Sequence, residues 1–224
     1  MKDLKDSVTS LIRQLNPKDQ CAIVSYATDV TIDFPLTAMD LVGKAAAVIA
    51  LEGVKPSGKA WMSEGLRVGF EELKSGASGT TANGADACVM LVSDGAPTKG
   101  AIDAPSLASE LSKHAANNLG GYHSVTLNTY GLTKKHEKPL LQALANVGGD
   151  ADSSLSHTGR YYDLPKLIGD AFDASLEALM SRSAKIVASG GGGDLSAQSM
   201  NHGVTGLRLL RPHVHEPLEV FFER

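Results

Sequence analysis

The sequence has no long hydrophobic run, few aromatic residues and only two cysteines. No stretch approaches the roughly 20 consecutive apolar residues that a membrane-spanning helix requires. The first ten residues, MKDLKDSVTS, contain no apolar signal-peptide core. Cys21 and Cys88 lie in apolar, strand-like runs, which predicts buried thiols in a reducing compartment, with a disulfide or a metal pair as the alternative. A cytoplasmic protein without membrane contact is therefore expected.

Charge of one sign is not in large excess either. The 224 residues include 21 Lys and Arg and 25 Asp and Glu, which gives a formal net charge of -4. The basic residues are scattered, so the sequence has no basic patch of the kind that binds nucleic acid. His213 and His215 share one face of a predicted strand, but no third zinc ligand lies near them in sequence. Since no nucleophile and base stand at a recognisable spacing, we expect a protein that is not an enzyme.

Helices and strands are predicted to alternate along the chain. Apolar residues spaced three and four apart predict helices at the N-terminus and over residues 37–51, 60–74, 104–118, 134–146 and 165–180. Apolar runs such as CAIVSYA, VTIDFPL, ACVMLVS and HSVTLNTYG predict strands, and RYYDL predicts a shorter one. This order predicts an α/β fold of three layers, with a doubly wound, Rossmann-like and mostly parallel sheet, over residues 1–188.

The last 36 residues differ in composition. SGGGGD is typical of a linker, while GVTGLRLL and LEVFFER predict two short strands. About 30 residues bury too little surface to fold alone. Residues 189–224 are therefore interpreted as a linker and a short β tail, which either joins the main domain or begins a further β domain.

One short motif suggests a nucleotide hydrolase. Gly53, Gly58 and Lys59 match the G-x-x-x-x-G-K part of a phosphate-binding loop, and Asp94 follows a buried strand where such enzymes hold magnesium. However, Ala60 stands where the loop requires a Ser or Thr hydroxyl. The sequence before Gly53 also predicts a helix, whereas a phosphate-binding loop follows a strand. A P-loop-like hydrolase is kept as the alternative, and a strand over residues 37–51 would favour it.

Longer segments resemble a known family. NPKDQCAIVSYATDV, PSGKAWMSEGLRVGFEEL and VMLVSDGAPT, followed by TLNTYGLTKKHEKPLLQALANVGG and RYYDLPKLIGDAF, resemble the von Willebrand factor A family in order and separation. The resemblance covers residues 1 to about 188 and is strongest to cytosolic A-domains found beside RING modules. It implies a noncatalytic module that binds another protein. It also implies a contact surface in the loops around residues 59–62, 94–98 and 131–135, with Lys59, Trp61, Met62, Pro97 and Thr98 as contact residues.

The same resemblance implies a degenerate metal site. The family holds Mg²⁺ with an Asp-x-Ser-x-Ser loop after its first strand, a Thr in a second loop and an Asp after its fourth strand. Asp94 matches the last of these, whereas Ala60 stands at the position of the Thr and the first loop has no match after Met1. Since Mg²⁺ gives up its water ligands reluctantly, one ligand is too few. We expect no cofactor, with Mg²⁺ binding only if an Asp-x-Ser-x-Ser segment precedes Met1.

The family's first strand, which lies at the centre of the sheet, also has no match. MKDLKDSVTSLI resembles the first helix from partway along, which suggests an N-terminally truncated domain. Three explanations are open. A preceding segment supplies the strand, a strand of the tail fills the gap, or the sheet closes up without it.

Overall fold

The computed structural model describes residues 2–55, 59–77, 85–118, 122–147, 155, 159–163 and 217–223. The elements, in chain order, are α1 (Lys2–Gln14), β1 (Gln20–Tyr26), β2 (Val30–Ala38), α2 (Leu41–Gly53), α3 (Met62–Ala77), β3 (Asp86–Ser93), α4 (Ala104–Asn118), β4 (Ser124–Gly131), α5 (Lys138–Asn146), β5 (Tyr161–Asp163) and β6 (Pro217–Glu223). The predicted α/β fold is confirmed. The predicted helix over 165–180, the linker and the strand GVTGLRLL lie outside the described residues, as do His213 and His215.

The first two helices form for local reasons that are visible in the sequence. In α1, Leu4, Val8 and Leu11 recur at helical spacing and are buried. α2 begins after Asp40, whose carboxylate accepts a hydrogen bond from the N–H of Gly43 at 2.8 Å and so caps the helix. The segment before Gly53 is thus a helix, as the family resemblance requires.

The six described strands form one sheet in the order β2-β1-β6-β3-β4-β5. β2 pairs with β1 in the antiparallel direction, and the other neighbouring strands are parallel. β6 pairs with β1 from Gln20↔Pro217 to Tyr26↔Glu223, and with β3 along five residues. The strand LEVFFER of the tail therefore fills the central position.

Of the three explanations for the missing strand, the structure shows the second, in which a strand of the tail fills the gap. The central position is therefore occupied: β6 pairs with both of the strands that flank it, in place of the family's first strand, which precedes the first helix. A free backbone group buried at the centre of a sheet is costly, and pairing on both sides removes that cost. The tail residues 217–223 pair within the main sheet. The predicted boundary at residue 188 lies outside the described residues and stays a prediction.

The sheet is covered on both faces. Helices α1 and α2 pack on one face, where Cys21, Ile23 and Cys88 are buried. Helices α3, α4 and α5 pack on the other face, where Val24 and Tyr26 are buried. This alternation along β1 is typical of a strand buried between two layers of helices. The expectation of buried, free thiols is confirmed.

Helix α3 lies unusually close to β1. A Cβ atom at Gly65 would lie 2.9 Å from Cβ and from Cγ of Tyr26, so the approach requires glycine. The Tyr26 hydroxyl donates a hydrogen bond to the carbonyl oxygen of Val92, at 2.9 Å. Since Val92 belongs to β3, this bond joins the two strands that flank β6.

Candidate functional site

Four connecting segments meet where the parallel strands end. They are residues 27–29 after β1, residues 59–61 before α3, residues 94–103 after β3 and residues 132–137 after β4. Open α/β sheets bind ligands outside the carboxyl ends of their strands, so this end of the sheet is the candidate site. We call this end of the sheet the top face.

Hydrogen bonds join three of these segments into one surface. The N–H of Thr98 donates to the carbonyl oxygen of Ala60 at 2.9 Å, and the N–H of Ala60 donates to the Thr98 hydroxyl at 3.0 Å. On the other side, the N–H of Lys59 donates to the Thr28 hydroxyl at 3.2 Å, and the N–H of Trp61 donates to the oxygen of Ala27 at 3.0 Å. Residues 59–61 are thus fixed between the loops that follow β1 and β3.

Trp61 and Lys99 form the most distinctive contact of this surface. The Lys99 ammonium lies 3.5 Å from the centroid of the Trp61 ring and donates to the carbonyl oxygen of Thr28 at 3.1 Å. Gly100 has φ 74, and a Cβ atom there would lie 2.7 Å from Nε1 of Trp61. The indole is half-buried, so a cation and an aromatic ring are offered together at the surface.

Asp94 lies at the end of β3 and is exposed. Its carbonyl oxygen accepts a hydrogen bond from the Thr133 hydroxyl at 2.6 Å, and Ser93 accepts one from the N–H of Leu132 at 2.7 Å. The segment after β3 is thereby attached to the segment after β4 as well. Asp94 therefore lies on a loop that hydrogen bonds hold on both sides.

The predicted contact residues do not all reach the surface. Lys59 and Thr98 are exposed, and Trp61 is half-buried. Met62 is 0% exposed and packs in the core under α3, while Pro97 is buried. The prediction of Met62 and Pro97 as contact residues is wrong, because both side chains face the interior, where a partner would not meet them.

The residues that are present do not fit the family's magnesium ion. Ala60 is 4% exposed and offers no side-chain oxygen, so the second loop contributes no ligand. Glu223 ends β6 beside Tyr26 and gives the central strand one acidic residue at its carboxyl end. Within the described ranges, no group of three or more His, Cys, Asp or Glu residues is arranged to hold a metal ion.

The phosphate-binding loop is contradicted by the local structure. Gly53 is the last residue of helix α2, whereas such a loop follows a strand. The backbone of Lys59 is hydrogen-bonded to Thr28, and that of the next residue, Ala60, to Thr98. The motif therefore follows a helix and not the strand that a phosphate-binding loop requires. The helix before Gly53 gives the hydrolase alternative no support.

Sequence patterns did not indicate Thr28, Lys99 or His136. Thr28 and Lys99 become recognisable only when the loops after β1 and β3 are brought together. His136 lies against Gly131, and its ring nitrogens contact the carbonyl oxygen of Thr133 and the hydroxyl of Tyr161. Burial, and to a lesser extent the charge of Asp163, raises the pKa of Tyr161.

The fold and the position of the site agree with the family resemblance. The sequence model of the von Willebrand factor type A domain matches residues 1–167. The chain belongs to the von Willebrand factor type A domain family. In the part of the chain that the structure describes, no helix is long and apolar enough to cross a membrane.

Comparison with solved structures supports the same fold. The chain is similar to a von Willebrand factor type A protein from Catenulispora acidiphila, with 15% identity over 81% of this chain and 38% of that one and a TM-score of 0.58. It is similar to proximal thread matrix protein 1 of the mussel byssus, with 20% identity over 78% of this chain and 41% of that one and a TM-score of 0.56. It is also similar to the conserved hypothetical protein BatB from Bacteroides thetaiotaomicron, with 14% identity over 82% of this chain and 88% of that one and a TM-score of 0.55.

The chain spans about two fifths of the length of the first two of these proteins. Identities this low establish the fold and not a shared activity. A search of the curated proteins finds none that matches.

Proposed function

We propose that this protein is a noncatalytic module that binds another protein through the top face, and that it does so without a metal ion. The contact surface is the top-face patch, defined as Thr28, Lys59, Trp61, Thr98 and Lys99. The observation that carries the proposal is the set of hydrogen bonds that joins residues 59–61 to the loops on both sides. These bonds fix the backbones of the three segments that carry the five residues of the patch.

Rigidity matters because ordering flexible side chains and loops lowers affinity. Each long side chain that a complex immobilises costs roughly 0.5–1.5 kcal/mol. Lys99 is already held by the Trp61 ring and by Thr28, so less of this cost remains to be met on binding. Tryptophan is also among the residues that most often dominate binding energy at protein interfaces.

The patch also supports metal-independent binding. Where the family places a Thr that holds Mg²⁺, this chain has the buried methyl group of Ala60. The cations of this surface are instead the ammonium groups of the exposed Lys59 and the half-buried Lys99. We propose that these ammonium groups take over the attraction for the acidic groups of a partner. A cytoplasmic location and an accompanying RING module stay predictions. The partner is a protein rather than nucleic acid or a membrane.

The test is site-specific photo-cross-linking in the full chain. A benzophenone amino acid at Thr98, which is exposed on the patch, is expected to cross-link a protein partner in cell extract in the presence of EDTA. The matched control carries the same group at Lys18, which is exposed in the loop that precedes β1, at the opposite end of the sheet.

The partner identified in this way is then purified and titrated against variants. We expect Trp61→Ala to weaken its binding at least tenfold, and Asp94→Ala or EDTA to leave the affinity unchanged. Equal cross-linking from both positions, or loss of binding on metal removal, would overturn the proposal. ATP with Mg²⁺ should not raise the melting temperature, whereas a nucleotide hydrolase would be stabilised by its ligand.

A further inference from the structure

A second surface lies at the far edge of the sheet from the top-face patch. An open groove of about 500 Å³ runs between helix α5 and strand β5. It is lined by Gln142, Ala145, Asn146, Arg160, Tyr161 and Tyr162. Among the described strands, β5 lies at one edge of the sheet, whereas the patch surrounds the end of β1. The two surfaces are therefore separate.

The backbone beside this groove has hydrogen-bonding groups that point away from β4. The N–H of Arg160 donates to the side-chain oxygen of Asn128 at 2.9 Å, and the Arg160 carbonyl accepts from the N–H of Thr129 at 2.9 Å. Both groups point towards β4. Since successive residues of a strand turn their backbone groups to alternate sides, those of Tyr161 point outwards. Among the described residues, none forms a hydrogen bond with them.

The side chains that line the groove favour a negatively charged ligand, because Arg160 is the charged residue among them. Arg160 is exposed, and no described carboxylate forms an ion pair with it. The exposed amides of Gln142 and Asn146 line the same groove and supply further N–H donors. An arginine binds a carboxylate through two parallel hydrogen bonds, which gives both strength and direction.

We propose that the groove binds an extended acidic peptide segment of a partner protein, which pairs with β5 as a seventh strand. The N–H and C=O of Tyr161 bond to the peptide backbone, and an Asp or Glu of the peptide lies against Arg160. An exposed strand edge is a template for such pairing, and the pockets beside it select side chains. This surface does not depend on the proposed role of the top-face patch.

The first test is a selection from a library of random linear 12-residue peptides displayed on phage, with the full chain as target. We expect the enriched peptides to carry an acidic residue within a run of β-branched residues. In a fluorescence polarisation assay, Arg160→Gln should lower the affinity of these peptides about tenfold. Arg13→Gln is the matched control, because Arg13 is an exposed arginine of α1 outside the groove. It should change nothing.

The second test does not depend on a substitution. Binding of the selected peptide should slow hydrogen exchange at the Tyr161 amide and shift the NMR signals of the Asn146 side chain. Trp61→Ala should leave peptide binding intact, which separates this surface from the top-face patch. Failure to enrich any peptide, enriched peptides that are indifferent to Arg160→Gln, or unchanged exchange at Tyr161 would each overturn the proposal.

Discussion

Removal of β6 by truncation before Pro217 should unfold the domain. β6 pairs with β1 at seven positions and with β3 at five. Parallel strands form about one backbone hydrogen bond for each paired position, so on the order of ten bonds are lost. At a net contribution of about 1 kcal/mol each, the loss is about 10 kcal/mol. That equals the whole stability of a typical domain, which is about 5–15 kcal/mol.

Urea denaturation followed by circular dichroism measures this effect. The full chain should unfold in one cooperative transition, and the truncated chain should lack it. A synthetic peptide with the sequence PLEVFFER, added in trans, should restore the transition, whereas the same peptide with proline in place of Val220 should not. Val220 pairs with Ile23 on one side and with Met90 on the other, so proline removes a donor at the centre of the sheet. A truncated chain as stable as the full one would refute the central position of β6.

Three further predictions concern individual side chains. Cys21 and Cys88 both pair with Leu218 of β6, which puts them two strand spacings or about 9.5 Å apart. This distance exceeds the limit of about 7 Å for a disulfide, so mass spectrometry after mild oxidation should find two thiols and no disulfide. Gly65→Ala should destabilise the protein by about 1–2 kcal/mol because the added methyl group would contact Tyr26 of β1. Gly53→Ala should not destabilise it, because the space around Gly53 is open. Urea denaturation midpoints measure both effects. The hydrogen bond from Arg67 lowers the pKa of Glu64, so this pair should stabilise the fold above pH 4.5. The contribution, less than about 1 kcal/mol, should be lost as the pH falls through the lowered pKa. Glu64→Gln should remove this part of the pH dependence of unfolding.

Local patterns were sufficient to predict the elements of this fold. Helical spacing of apolar residues and continuous apolar runs are properties of a few neighbouring residues, and burial in one core enforces both. The predicted helix over 134–146 begins later, at Lys138, because Thr133 and His136 form turn contacts before Pro139 can occupy the first turn of the helix. Such shifts at element ends are set by side-chain contacts that a spacing pattern does not contain.

The candidate site was less predictable, because it depends on loops that lie far apart in sequence. Family resemblance located the loops but did not distinguish the outward-facing Lys59 and Thr98 from the buried Met62. Met62 begins a helix whose inner face covers the sheet, and only the orientation of that helix decides its burial. Lys99 was missed because its role depends on Trp61, 38 positions earlier in the chain.

The position of β6 illustrates the same limit at the level of topology. LEVFFER was correctly predicted as a strand, but its neighbours are β1 and β3, about 195 and 130 positions away in the chain. A strand pattern specifies apolar faces and not a pairing partner, so several positions in a sheet satisfy it equally. Here the central position wins because it pairs both edges of β6, whereas an edge position would leave one edge unpaired. The position of β6 also affects the top face, because it places Glu223 at the end of the central strand, on the side of the sheet where Asp94 lies.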